Sequence, residues 1–271
     1  MRALIITWII FFCLSANVFS LGERIPAGGR SAGMGGASVA MIDFWSISNN
    51  PAGSAWVEKM STGIYCENRF LLKALFFEKF GFVLPTKAGT FGVVAEHAGT
   101  GNYNEIKAGF TYARKFGRYF TAGITADYLG LILPEEYGRK NMISCEFGLL
   151  FVPNKRISAG VHIVNPVPIK ITTQPVELLP TVVCLGMTYS FSGSFLASIE
   201  AEKDLLHFPV FRLGAEYHIA KAFYGRIGVS INPIQFDFGF GLEFGPVKID
   251  MASAYQQILG FSPSCSFVYC F

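Results

Sequence analysis

The stretch "IQFDFGFGLEF", residues 234–244, alternates without a break. Ile234, Phe236, Phe238, Phe240, Leu242 and Phe244 fall on one side, and Gln235, Asp237, Gly239, Gly241 and Glu243 on the other. A period of two is the signature of a β-strand. Alternation alone does not choose between a soluble sandwich and a membrane barrel, because both hide one face. The character of the two faces does. One is apolar and aromatic, while the other holds charges and glycines rather than a solvent-like mixture of Lys and Glu. A length of about ten residues suits a tilted strand crossing a bilayer.

The pattern repeats outward from this segment. "VFRLGAEYHI" (210–219) sets Phe211, Leu213, Ala215, Tyr217 and Ile219 against Arg212, Gly214, Glu216 and His218. "FTAGITADY" (120–128) separates Phe120, Ala122, Ile124, Ala126 and Tyr128 from Thr121, Gly123, Thr125 and Asp127. Continued along the chain, the period predicts strands near 62–70, 73–84, 89–98, 104–115, 119–131, 141–152, 156–165, 180–190, 194–203, 208–219, 222–231, 234–244, 246–256 and 262–271. Fourteen is an even number, as a single-chain bacterial barrel requires. One set of connections is tight ("KFGR", "VPNKR", "HIAKA", "FGP"). The other includes "LPEEYGRKN" (133–141) and "NPVPIKITTQPVELLP" (165–180), the asymmetry expected of periplasmic turns and external loops. The expected fold class is therefore all-β: a transmembrane antiparallel β-barrel of about 14 strands over residues 61–271.

Composition agrees. The chain is 51% hydrophobic with 27 Phe and 29 Gly, and only 15% charged. A net charge of +3 gives no electrostatic footprint for nucleic acid. Residues 1–20 read as a secretory signal peptide: Arg2, then the apolar run "ALIITWIIFFCL", then small residues with cleavage after Ser20. The run is too short to span a membrane as a helix. Cys13 leaves with the signal, and Cys66, Cys145, Cys184, Cys265 and Cys270 are scattered without a C-x-x-C pair, which predicts neither a disulfide framework nor a zinc site. No cofactor and no metal is expected.

Residues 28–41, "GGRSAGMGGASVAM", look like a phosphate-binding loop. Yet no Lys-Ser or Lys-Thr follows, and too few residues precede it to supply a strand. The longer segment "GGRSAGMGGASVAMIDFWSISNNPAGSAW" resembles the N-terminal signature of the PorV/PorQ-like outer-membrane proteins, a branch of the FadL-like barrel superfamily. Arg30, Met34-Gly35-Gly36-Ala37, Ala40, Asp43 and Asn50-Pro51-Ala52-Gly53 carry the likeness. That resemblance implies a hatch, residues 21–60, lying inside a fourteen-stranded barrel, and "HIVNPV" (162–167) is similar to a strand end in those proteins. A backbone folded into a narrow lumen needs small side chains, and Asn50-Pro51 can start a turn there.

Strict alternation places Glu96, Glu105, Lys107, Asp127, Glu146, His162, Glu200, Glu202, Arg212, Glu216, His218, Arg226, Asp237, Glu243, Lys248 and Asp250 in the lumen. Opposite signs neighbour one another: Glu200 and Glu202 beside Arg212, Glu216 beside Arg226, Glu243 beside Lys248. Buried charges persist when paired, so a cross-lumen network is expected. The C-terminal Phe267, Tyr269 and Phe271 resemble the assembly signal of Gram-negative outer-membrane barrels. These features place the protein in that membrane. Its expected partners are outer-membrane lipid and lipopolysaccharide, the barrel-assembly machinery during insertion, and a protein partner in an outer-membrane complex.

Catalysis is not expected. His97, His162, His207 and His218 sit in no G-x-S-x-G or comparable setting. Among non-enzymatic roles, a charge-laced, hatch-filled lumen suits a greasy ligand poorly. The expectation is therefore an accessory or docking subunit of an outer-membrane machine, as the resemblance to the type IX secretion PorV/PorQ proteins implies. The alternatives are a FadL-like channel for hydrophobic small molecules and a subunit of a barrel-assembly complex.

Overall fold

The structure is a computed structural model and describes residues 24–100, 103–132, 138–173, 176–204 and 208–271. Residues 1–20, expected to be a signal peptide, residues 21–23 of the expected hatch, the tip of the 133–141 loop and His207 lie outside the described residues.

Alternating sequence becomes strand throughout the second part of the chain. The strands are β1 (Ser61–Asn68), β2 (Phe76–Thr86), β3 (Gly89–Thr100), β4 (Tyr103–Phe116), β5 (Phe120–Ile132), β6 (Arg139–Asn154) and β7 (Ile157–Val164). Then come the short β8 (Ile169–Thr173) and β9 (Val176–Leu179). The remainder are β10 (Val182–Ser190), β11 (Phe195–Asp204), β12 (Val210–Ala220), β13 (Phe223–Ile231), β14 (Gln235–Phe244), β15 (Val247–Gln256) and β16 (Gly260–Cys270). All except β8 and β9 form one closed antiparallel barrel, and β1 pairs with β16, Ser61 opposite Cys270, to shut it. Closure satisfies every ladder group internally, which a bilayer demands. Fourteen strands cross, and the protein is a multi-pass β-barrel of the outer membrane.

Side-chain alternation gives the wall its two faces. Phe236, Phe238, Phe240 and Phe244 point out and are exposed, while Asp237 between them is buried. Ile199, Leu213 and Ile227 continue the apolar outer face on adjoining strands. Gly245 takes a positive φ of 57° in the two-residue turn between β14 and β15, a conformation that suits glycine.

The segment at 165–180 reads in sequence as a plain loop. It instead contains the β8–β9 hairpin. Asn165 anchors its base: the Asn165 amide donates to the carbonyls of Leu179 (2.8 Å) and Pro180 (3.3 Å), and Thr181 Oγ1 donates to Asn165 O at 2.7 Å. Ile169 and Leu179 pack with Leu129, Leu131 and Met142 at the barrel mouth.

Residues 24–60 form no strand. They contain two single-turn helices, α1 (Gly29–Ala32) and α2 (Ser46–Asn49), and a 3₁₀ turn at Pro51–Trp56. Asn50 caps that turn by accepting from Ala52 N, with Pro51 at its first position, where a missing N–H costs nothing.

Candidate functional site

The N-terminal segment lies against the inner wall on opposite sides of the barrel, and the inward glycines explain how. A Cβ added at Gly214 would meet Met34 O at 2.5 Å, and one at Gly123 would meet the Pro51 carbonyl carbon at 2.5 Å. Gly228 would collide with Gly35 N, Gly148 with the Asn50 amide, Gly160 with Val39 O, and Gly29 across the lumen would meet Asp250 O at 2.7 Å. The wall is bare of side chains where the segment's backbone touches it. Gly35 also needs its glycine for itself: φ is 69°, and a Cβ would lie 3.0 Å from Leu213 O and from Val229 N and O.

Charge ties the segment down. Glu200, fully buried on β11, accepts from Ser38 N and Val39 N, both at 2.7 Å, and from Arg24 Nη1 at 2.6 Å. Arg24 reaches Glu202 as well (3.1 Å), and Arg212 completes the cluster at 2.8 Å from Glu202 and 3.4 Å from Glu200. A second cluster centres on Glu216, which Arg30 grips through Nε (2.8 Å) and Nη2 (2.7 Å) while Arg226 donates to it at 2.7 Å and to Asp250 at 2.6 Å. Arg30 also pairs with Asp43 at 3.3 Å. Burial alone would lower the pKa of Arg30, but the Glu216 carboxylate overrides it and holds the guanidinium above its ordinary value.

The remaining motif residues serve the same packing. Met34, Ala37 and Ala52 are fully buried, Gly36 lies against the Arg212 side chain and Gly53 against Ser46. Asp43 Oδ1 accepts from Trp45 N, and Asn50 donates to Val39 O at 2.7 Å. Three other charged residues stand apart from these clusters. Asp237 is buried, yet its one hydrogen bond comes from Gln235, and no cation pairs with it among the described residues. Lys248 and Glu243 pair at 2.8 Å in a more exposed position. Phe267, Tyr269 and Phe271 face outward, away from the lumen.

Arg24 and Lys79 complete ion pairs that the sequence reading leaves out, and only Arg24 lies beyond the reach of strand periodicity. Arg24 precedes the motif, and Lys79 lies in "FFEKFGF", whose inward side reads Phe77, Lys79, Gly81. That inward register was the available signal for Lys79.

Between the segment and the β8–β9 hairpin lies a chamber of about 110 Å³. Its collar is apolar (Leu129, Leu131, Met142, Leu179), and its polar wall carries Lys79, Glu96, Lys107, Asp127, Glu146 and His162. Lys79 Nζ donates to Ile25 O (2.7 Å) and Ser48 Oγ (3.3 Å) and pairs with Glu96 (3.2 Å). Lys107 bonds Glu146 and lies 3.6 Å from Asp127, and His162 Nε2 meets Glu146 at 2.8 Å. On the outer wall a nearly apolar groove of about 680 Å³ runs past Met187, Ile199, Leu213, Ile227 and Phe236.

Cys184, Glu200 and Glu202 bring three potential ligand atoms within 4.8 Å of one another. Arg24 and Arg212 already occupy those carboxylates, so the donor set fits a metal poorly. His218 stacks on Tyr224 with centroids 4.4 Å apart, and His97 lies 3.5 Å from Glu78 on the outer face; neither contact supplies a nucleophile.

No protein-family model matches the sequence, and no curated protein matches it. Solved structures do match in shape. The Pseudomonas aeruginosa FadL homologue superposes with a TM-score of 0.69 at 12% identity, over 93% of this chain and 100% of that one. The fold is FadL-like. The Ralstonia pickettii toluene transporter TbuX (TM-score 0.68, 13% identity) covers 93% of this chain and is itself covered over 100%. The Pseudomonas putida toluene transporter TodX (0.64, 11%) covers 93% and is covered over 97%. At such identities the likeness establishes the FadL-like architecture.

Proposed function

We propose that this barrel is a channel for hydrophobic small molecules across the outer membrane, with the N-terminal segment as its hatch. The observation that carries the reading is the chamber. It has an apolar collar at the mouth, a polar wall, and the hatch residues Arg24, Ile25 and Ser48 along its inner side. A site that is mostly apolar with a few convergent polar groups is how proteins hold small ligands. The FadL-like architecture supports the same reading, since neighbours of this shape include toluene transporters. The ligand enters past the β8–β9 hairpin and waits on the hatch. Onward passage requires the hatch to shift, because the ion-paired segment crosses the lumen.

This moves the emphasis away from docking, yet one observation favours docking as a second reading. Glu200 and Glu216 hold the segment through several charge-assisted bonds each, a firmness that suits a plugged barrel offering its outer surface to another protein. A partnership like that of the PorV/PorQ proteins, or with a barrel-assembly complex, belongs to that reading. Extraction in mild detergent and mass spectrometry of what co-purifies separates the two. A lone barrel carrying a small apolar ligand supports the channel. A stoichiometric protein complex that survives salt supports docking.

A further inference from the structure

We propose that the periplasmic rim of the barrel, over strands β2 to β7, binds anionic phospholipids of the inner leaflet through their phosphates. The inference concerns the outer wall and does not depend on what the lumen conducts.

Charge is distributed unevenly around this rim. The tight turns that follow β2, β4, β6, β10, β12 and β14 all lie at the end opposite the β8–β9 hairpin, and none of them contains Asp or Glu. Short turns mark the periplasmic end of such a barrel. The first three carry or adjoin Lys87, Arg114, Lys115, Arg118, Lys155 and Arg156, all exposed, and no carboxylate pairs with any of these among the described residues. Lys115 turns onto the Trp56 ring, 3.8 Å from its centroid. The others are left to meet an anion from outside. The turns after β10 and β14 hold no charge, and the one after β12 holds only Lys221.

Two placements select lipid, rather than a periplasmic protein, as the counter-charge. Phe116, Phe120 and Phe151 are exposed on the outer face and stand side by side across three strands. Phe116 is opposite Phe120, and Phe120 is opposite Phe151 with ring centroids 4.7 Å apart. A row of outward aromatic side chains marks the level where acyl chains give way to headgroups. Arg118, Lys155 and Arg156 follow this row in the turns, at headgroup level.

Arg114 lies on the other side of the row. On β4, Thr111 and Ala113 are buried inward while Phe110 and Phe116 are exposed outward, so Arg114 shares the lipid-facing side. It stands two residues before Phe116, ~7 Å further along the strand into the bilayer. A cation there is beside lipid and out of a soluble protein's reach. The arginine stem is long enough to return its guanidinium to the headgroup level, and a guanidinium matches two phosphate oxygens at once. The anionic class follows from the unpaired charge. A zwitterionic headgroup brings an ammonium that the basic rim repels, whereas phosphatidylglycerol brings an uncompensated phosphate.

The test is native mass spectrometry of the purified full-length barrel in a neutral detergent, offered equal amounts of phosphatidylglycerol and phosphatidylethanolamine with the same acyl chains. Phosphatidylglycerol is expected to be retained at least about tenfold better, the scale of two basic residues acting at a membrane surface. Replacing Arg114, Arg118 and Arg156 together by Gln should remove most of that preference. The same change of charge at the opposite end, Lys73→Gln with Arg139→Gln and Lys140→Gln, should leave it intact, which separates the rim from net charge. Equal retention of the two lipids by the unaltered protein would overturn the proposal, as would a preference lost with the opposite-end variant or kept by a folded rim variant. Binding of soluble polyglutamate in place of lipid would overturn it too, and would mark the rim as a dock for an acidic protein. The ranking on the unaltered protein decides the matter even if the rim variant misfolds.

Discussion

Arg30 grips Glu216 with two parallel hydrogen bonds, 2.8 and 2.7 Å long, across 186 residues of sequence. The pair joins the N-terminal segment to the barrel wall. Replacing Arg30 by Met leaves Glu216 still paired with Arg226, so the cost falls below the ~3–5 kcal/mol of stranding a buried charge, at about 2 kcal/mol. Limited proteolysis should cut the N-terminal segment of the variant sooner, while the barrel keeps its heat-modifiable migration on gels.

Glu200 carries more of the same load, because it accepts two backbone N–H groups as well as Arg24. Glu200→Ala strands the buried Ser38 and Val39 amides and leaves Arg24 to Glu202 alone, at a cost of about 3 kcal/mol. Hydrogen exchange reads this directly: the amides of Ser38 and Val39 should lose protection, and those of the wall strands should keep it.

Gly228 tests the close approach of backbone to wall. Its missing Cβ leaves room for Gly35, and any side chain there must push the segment inward. Gly228→Val should increase thiol labelling of a reporter cysteine at Ala37, which is fully buried in the unaltered protein. The same substitution at Gly193, which faces open space, should not.

The β8–β9 hairpin covers the chamber through Leu179 and Ile169. Removing residues 168–177 should leave the fourteen-stranded barrel folded, since neither strand belongs to it. Chamber ligands should then exchange faster and bind more weakly. Loss of a co-purifying protein instead would mark the hairpin as a docking surface.

Much of this architecture was legible in sequence because a barrel wall is local. Each strand declares its faces through a period of two, so Phe236 and Phe238 outward and Asp237 inward follow from "QFDF" alone. Strand-to-strand pairs follow nearly as well: Glu216 opposite Arg226, and Glu200 opposite Arg212, are cross-strand neighbours in register. The lumen is different. Arg24 and Arg30 meet their carboxylates from an irregular segment that has no period to read. Inward glycines such as Gly148 and Gly160 carry no sign that another backbone lies on them. The hairpin at 169–179 also escaped, because the four prolines of 165–180 and the short strands look like plain loop. The reading of a charged lumen as hostile to greasy ligands weighed the charges without the collar of Leu129, Leu131, Met142 and Leu179, which assembles only in three dimensions.

The central claim is passage, and the barrier that matters is the lipopolysaccharide leaflet, since apolar molecules cross plain phospholipid unaided. The direct measurement is the rate at which an apolar fluorescent dye enters vesicles with an outer lipopolysaccharide leaflet, with and without the reconstituted barrel. The account predicts faster entry with the protein, faster again with Arg30→Met, and competition by ligands of the chamber. Entry rates identical with and without the protein, for the unaltered barrel and for Arg30→Met alike, would contradict it.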